Sequence, residues 1–142
     1  MATYVKYNSF VEHLAEKVHN LGADTLKVAL TNTAPNVATH TVLADIIEIA
    51  AGNGYTAGGT QAAITSSAQT SGVYKLVLAD VVFTASGGSI ATFRYAVLYN
   101  DTPTSPADPL IAYWDYGASI TVLVGETFTW NADPTTGVLT VT

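Results

Sequence analysis

The sequence predicts a mainly β protein: an antiparallel β-sandwich or jelly-roll-like domain carrying one N-terminal α-helix. Three observations carry this. Only one segment, near the start, repeats its apolar residues with helical spacing. From about residue 24 onward, short runs alternate apolar and polar residues and are separated by Gly, Pro, Asn, Asp and Ser. No strand–helix alternation follows, which argues against a parallel α/β sheet.

The helix is expected over about residues 8–21. In "NSFVEHLAEKVHNLG", Phe10, Leu14, Val18 and Leu21 are spaced by four, four and three, forming one apolar stripe. Ser9 stands three residues before Glu12, the pattern of a capping box. Gly22 follows the last apolar position and suits a helix terminus. His13, Glu16 and Lys17 fall on the wet side.

The period then changes to two. In "DTLKVALTN", Leu26, Val28 and Leu30 point one way and Thr25, Lys27, Ala29 and Thr31 the other, as in a half-buried strand. "TAPNVATHTV" reads as loop. "LADIIEIA" fits a helical turn or a strand. "GNGYTAGG" is a glycine-rich connection, and "TQAAITSSAQT" a polar strand suited to a sheet edge. "VYKLVLADVVFTA" reads as two strand segments bent near Asp80. In "IATFRYAVLYN", Ala91, Phe93, Tyr95, Val97 and Tyr99 share a side expected to face the core. "DTPTSPADP" holds three prolines and cannot be a central strand. "LIAYWDY", "SITVLV", "ETFTWN" and "GVLTVT" are expected as four short strands, with "GA", "GE" and "DPTTG" as turns. No linker or repeat divides the chain, so residues 1–142 are expected to form one domain.

Composition narrows the function. Charged residues make up 11% of the 142, against about 25% in an average protein. A monomer usually keeps a charged surface to stay dispersed. A surface of Thr, Ser, Ala and Gly suits one covered by neighbours, and also suits a robust secreted monomer. Net charge is −6, and the five basic residues are scattered, so direct nucleic-acid binding is not expected. The chain has no cysteine, which excludes thiol chemistry and disulfides. The N-terminus lacks the pattern of a signal peptide, and no apolar run is long enough for a membrane helix.

No motif specifies a reaction. "GNGYTA" matches part of a dinucleotide fingerprint by letters, but the residues after it are β-like rather than helical. His13 and His19 are six apart and do not share a helix face. Asn100, Asp101 and Asp108 offer oxygens around the proline-rich loop without calcium-loop spacing. Asn100-Asp101-Thr102 is a glycosylation sequon by letters. Asp115 lies between Trp114 and Tyr116, as on the aromatic floor of a glycosidase, but acid–base hydrolysis needs a second carboxylate. No catalytic, cofactor or metal residue is therefore assigned. Tyr99, Tyr113, Trp114 and Tyr116 also raise a sugar- or receptor-binding reading. Alternation splits the aromatics between two faces: Tyr113 goes with Ile111 and Asp115, and Trp114 and Tyr116 with Leu110 and Ala112. Arg94 and Leu98 lie on the second face of their own strand. Arg94, Leu98, Tyr113 and Asp115 are the candidate interface residues.

Four pieces, "KYNSFVEHLAEKVHNLGADTLKVALTN", "GNGYTAGG", "FRYAVLYND" and "PLIAYWDYG", together resemble small virion proteins of tailed bacteriophages. The chain is similar to head decoration (cement) proteins of the β-sandwich or jelly-roll kind. The resemblance implies a non-enzymatic protein on the outer capsid surface of the virion, tying major capsid protein subunits together as a homodimer or homotrimer. It implies no cofactor and no contact with nucleic acid or membrane. The alternative it leaves is a minor tail or receptor-binding virion protein. A clamp that binds only the expanded shell stabilises that state by mass action, and many copies add through multivalency. "MATYVKY" or "GVLTVT" is a candidate for strand addition to a neighbour.

Overall fold

The computed structural model describes residues 2–142. One short helix, α1 (Asn8–Ala15), and ten strands follow one another: β1 (Thr3–Lys6), β2 (Leu26–Thr31), β3 (Thr60–Gln61), β4 (Ile64–Thr70), β5 (Val73–Leu78), β6 (Val81–Thr84), β7 (Phe93–Asn100), β8 (Leu110–Ile120), β9 (Thr127–Trp130) and β10 (Leu139–Val141). The strands form a five-stranded sheet, β1-β8-β7-β2-β3, a three-stranded sheet, β10-β5-β4, and a two-stranded ribbon, β6-β9. Every pairing is antiparallel. The protein is thus mainly β, antiparallel and sandwich-like, with one N-terminal helix. The topology supports a sandwich and does not single out a jelly roll.

The main core lies between the large sheet and the two smaller ones. Leu26, Val28 and Leu30 of β2 enter it, as their alternation requires, and meet Leu76, Leu78, Phe83 and Trp130. A second cluster covers the outer face of the large sheet. There Tyr7, Ala29, Val97, Tyr99 and Leu110 pack beneath Ile46, Val37 and Leu43 of the long connection after β2. That connection contains a 3-10 turn at Leu43–Asp45 and a bridge between Thr31 and Glu48, so "LADIIEIA" is part turn and part extended chain. The second cluster explains the low charge of β2 and β7: both faces of the sheet's centre are buried.

The helix is shorter than expected. It ends at Ala15, not near residue 21, because Lys17 takes a left-handed φ of 67°. Val18 N–H then reaches the His13 carbonyl and Lys17 N–H the Leu14 carbonyl. This is a Schellman ending with lysine in the place usually held by glycine. The early stop turns His19 and Leu21 into the protein, and both are buried. The expected capping box is also absent. Tyr7 is the N-cap and gives no side-chain cap, Ser9 lies inside the helix, and the Asn8 N–H is satisfied by the Val37 carbonyl.

β8 differs most from expectation. "LIAYWDYGASI" is one continuous strand, and Gly117-Ala118 is no turn. Phe93 pairs with Ile120 and Tyr95 with Asp115, so Arg94 alone stands opposite four residues of β8. A second irregularity lies where Leu98 pairs with Ala112 and Tyr99 with Leu110. Each bulge shifts a strand's alternation and exchanges its faces. Phe93 therefore joins Ala96 and Leu98 in the inter-sheet core, whereas Val97 and Tyr99 belong to the outer cluster. The expected single face of Phe93, Tyr95, Val97 and Tyr99 does not exist. Likewise Leu110 joins Tyr113 outside, while Ile111, Ala112, Trp114 and Tyr116 contribute to the inner core.

Both terminal segments are built into the chain's own sheets. β1 pairs with β8 and β10 with β5. Within "MATYVKY", Thr3–Lys6 is therefore an edge strand of this chain's large sheet, and Tyr7, which follows it, has no exposed surface. Deletion of the segment would strip a core edge as well as any contact with a neighbour.

Candidate docking surface

The four candidate residues come from β7 and β8. Three of them share one patch. Arg94 grips Asp115 with two hydrogen bonds, Nε to Oδ1 at 2.8 Å and a terminal guanidinium nitrogen to Oδ2 at 3.1 Å. The bulge makes this possible, because it releases Arg94 from the alternation that buries Ala96 and Leu98. Asp115 Oδ1 also accepts the Gly117 N–H at 2.8 Å. The guanidinium lies 5.4 Å from the centre of the Tyr95 ring. Tyr95 meets the half-buried Tyr113 edge-on at 5.9 Å, and Tyr113 meets Tyr7 at 5.7 Å. The half-buried Tyr113 ring and the fixed ion pair, laid over the buried Tyr95, give a firm, amphipathic patch on the outer sheet face. It lies beyond the cover supplied by Val37, Leu43 and Ile46.

Leu98 does not belong to it. Its side chain has no exposed surface and lies in the inter-sheet core. The reason is the register shift at Arg94, which the sequence pattern does not reveal. Tyr95 is buried, as its core-facing expectation requires, but on the outer face of the large sheet, where it underlies Arg94 and Tyr113.

The electrostatics of the patch do not suit Asp115 to a general-acid role. The hydrogen bonds from Arg94, and then from the Gly117 N–H, hold the Asp115 carboxyl below its ordinary range. Asp115 in turn pushes the Arg94 guanidinium upward. A general acid needs the opposite shift. The aromatic platform expected from Tyr99, Tyr113, Trp114 and Tyr116 does not assemble either. Tyr99 is buried and donates to the Gly58 carbonyl. Trp114 points inward against Trp130, with ring centres 4.9 Å apart, and Tyr116 against Phe128 at 5.1 Å.

The remaining candidates have structural roles. Asn100 has no exposed surface; its side-chain nitrogen donates to Asp24 at 2.7 Å and to His19 Nδ1 at 3.1 Å. Its oxygen accepts the Thr102 N–H at 3.1 Å. Neither glycosylation nor calcium ligation is open to it in the folded chain. Asp101 pairs with Lys27 at 2.9 Å. Burial first, and then neighbouring Asp101, push the Asp108 carboxyl upward. Among the described residues no group of three or more His, Asp or Glu could hold a metal ion, and no helix is long and apolar enough to cross a membrane.

His19 joins α1 to the end of β7. Because Asn100 donates to Nδ1, the ring is the neutral tautomer with its proton on Nε2. Burial first, and His13 second, lower its pKa to about 4, against a smaller opposing effect of Asp24. An unfolded histidine titrates near ~6.5. Between these values the unfolded chain binds more protons, so stability rises with pH. Folding stability is expected to be full above about pH 6.5 and to fall as the pH drops toward 4. Urea unfolding of the wild type and of His19→Gln across this window checks it. The variant should be less stable at neutral pH and show a flatter slope; an unchanged slope would count against His19 as the source.

Comparison with known proteins gives no match: no family model, no curated protein and no solved structure aligns with the chain.

Proposed function

We propose that the protein is a non-enzymatic structural component of a tailed-bacteriophage virion. It binds the outer capsid surface as a homodimer or homotrimer and ties major capsid protein subunits together. The observation that carries this reading is the outer patch of Arg94, Tyr113 and Asp115 over the buried Tyr95. It is a preformed surface, its one ion pair already satisfied, on a firm sheet rather than a cleft. Tyrosine and arginine are enriched among the residues that dominate interface energetics. A bidentate pair already made within the chain can meet a partner without leaving an unpaired charge. The sparse charge of the whole chain fits a protein that spends its working life covered. The reading needs no cofactor, nucleic acid or membrane.

Mixing purified protein with undecorated shells tests it. Saturable binding at symmetric positions is expected. Arg94→Ala combined with Tyr113→Ala should weaken it by at least about tenfold. Absence of binding to shells would reject the reading, and binding unaffected by the double variant would move the contact to another face.

A further inference from the structure

One end of the sandwich carries little exposed charge: Glu126 and, at its edge beside Gly117, the internally paired Arg94 and Asp115. It is the end where β2 and β8 finish and β7 and β9 begin. Four segments build it: residues 32–36, 47–56, 85–92 and 117–126. Their only charged residues are Glu48 and Glu126. Glu48 is turned inward, where Oε2 accepts from the Tyr55 hydroxyl and from the Gly58 N–H at 2.8 Å. Glu126 Oε2 accepts the Leu123 N–H at 3.1 Å. The opposite end carries Glu16, Lys17, Asp24, Lys27, Asp101 and Asp108.

The charge-poor end is also firm. Asn53 donates to the Ser89 carbonyl at 3.0 Å, and its own carbonyl accepts the Ser86 N–H at 3.0 Å. The Thr92 and Thr121 hydroxyls are 2.7 Å apart, and Ser119 donates to Asn32 at 3.1 Å. Neutral hydrogen bonds thus tie each loop to a neighbour.

A turn at this end projects two bare aliphatic side chains. Leu123 to Glu126 is closed by a 2.9 Å bond from the Glu126 N–H to the Leu123 carbonyl, with Gly125 at φ 85°. That is a type II turn, in which Val124 occupies the corner. Two further bonds, at 3.0 and 3.1 Å, pin the turn to Ala85. Leu123 is 53% exposed and Val124 63%; Ile47, at the same end, is 68% exposed. Turn corners ordinarily carry polar or small residues. Here the fold holds apolar ones in water at a fixed position.

We propose that this charge-poor end is the self-association surface, where a second copy docks on Leu123, Val124 and Ile47. Charge selects the occupant. Anionic lipid and nucleic acid require Lys or Arg, and these segments have none. A basic protein partner would be drawn to the acidic end instead. A second copy presents the same uncharged aliphatic surface, and a two-fold interface needs such self-complementarity. Docking through this end also keeps the acidic ends of two chains, each of net charge −6, far apart. The inference rests on the homo-oligomer in the reading above and not on the shell, so shells are left out of its test.

The test is sedimentation of the full chain over a range of concentration and salt. The mass should rise above the 14.8 kDa of one chain with concentration. It should rise further with salt, which screens the repulsion between acidic chains. Leu123→Lys with Val124→Lys should weaken association by more than about tenfold with an unchanged circular dichroism spectrum. Val73→Lys, at an exposed apolar site on the β4–β5 turn, should not. The chain lacks cysteine, so Val124→Cys alone should oxidise readily to a linked dimer and report the contact even if the lysine variant misfolds. A wild type that stays monomeric at every concentration would overturn the proposal. So would a mass insensitive to the double lysine variant, a Val124→Cys chain that stays unlinked, or a monomer whose tip inserts into phosphatidylcholine vesicles.

Discussion

Trp130→Ala is expected to cost about 3–5 kcal/mol of folding stability, the range for emptying a large aromatic site. Trp130 ends β9, has no exposed surface, and pairs across the ribbon with Val81. Its ring meets Trp114 of β8 edge-on, 84° from parallel. The contact joins the two-stranded ribbon to the five-stranded sheet. Alanine would leave a cavity between layers and strip Trp114 of its partner. Small native domains hold only about 5–15 kcal/mol in all, so the variant should approach the limit of folding. Trp130→Phe should be much milder, under about 2 kcal/mol. It keeps most of the ring and removes an indole N–H that has no hydrogen-bond partner among the described residues. Urea unfolding followed by circular dichroism checks both. Equal losses for the two variants would show that the aromatic volume is not what matters.

Gly59→Ala is the second large effect, expected at about 3 kcal/mol from overpacking and left-handed strain together. Gly59 has φ 75°, and a Cβ there would fall 1.9 Å from the Val28 carbonyl oxygen and 2.8 Å from the Ala29 Cα. Both obstacles are backbone of β2, the centre of the outer cluster. The chain approaches so closely because β3 begins at the next residue and pairs Thr60 with Val28. Gly58 is held alongside by Glu48 and Tyr99. Alanine must therefore push β3 off β2 or displace the connection that covers the sheet. Gly72→Ala supplies the control. Gly72 has φ 83°, but a Cβ there would meet nothing within 4 Å. It should cost only the left-handed strain, about 1–2 kcal/mol. Similar losses at both sites would show that close packing at Gly59 contributes little.

The strand regions were legible where one face is core and the period is unbroken. Leu26, Val28 and Leu30 follow the pattern, as does the bend at Asp80; "TQAAITSSAQT" is polar and at sheet edges as expected, but it divides into β3 and β4, which join different sheets. Asp80 caps that bend by accepting the Ala132 N–H at 2.8 Å. Reading failed where a single residue of slip decides the face. Arg94 opposite four residues of β8 is invisible in the pattern, because both faces of β7 are apolar. Leu98 therefore lies in the inter-sheet core rather than on the surface, and Tyr95, also buried, packs on the opposite, outer face of the sheet. The helix length failed for a related reason. The apolar stripe continues to Leu21, but a lysine adopted the left-handed turn that sends His19 and Leu21 inward. "SITVLV" read as a strand. Its last residues instead form the turn that exposes Leu123 and Val124.

The sequence by itself determined the class: antiparallel β with one early helix, poor in charge and without a reaction motif. Composition and two-residue periodicity are local properties, and they survive any choice of register. Tertiary structure alone decided which face each aromatic serves, where Arg94 finds its carboxylate, and which end of the sandwich is left poor in charge. Those outcomes depend on bulges and on a long connection folding back over a sheet. They are set by packing between residues far apart in the chain, where a shift of one position reverses every side chain beyond it.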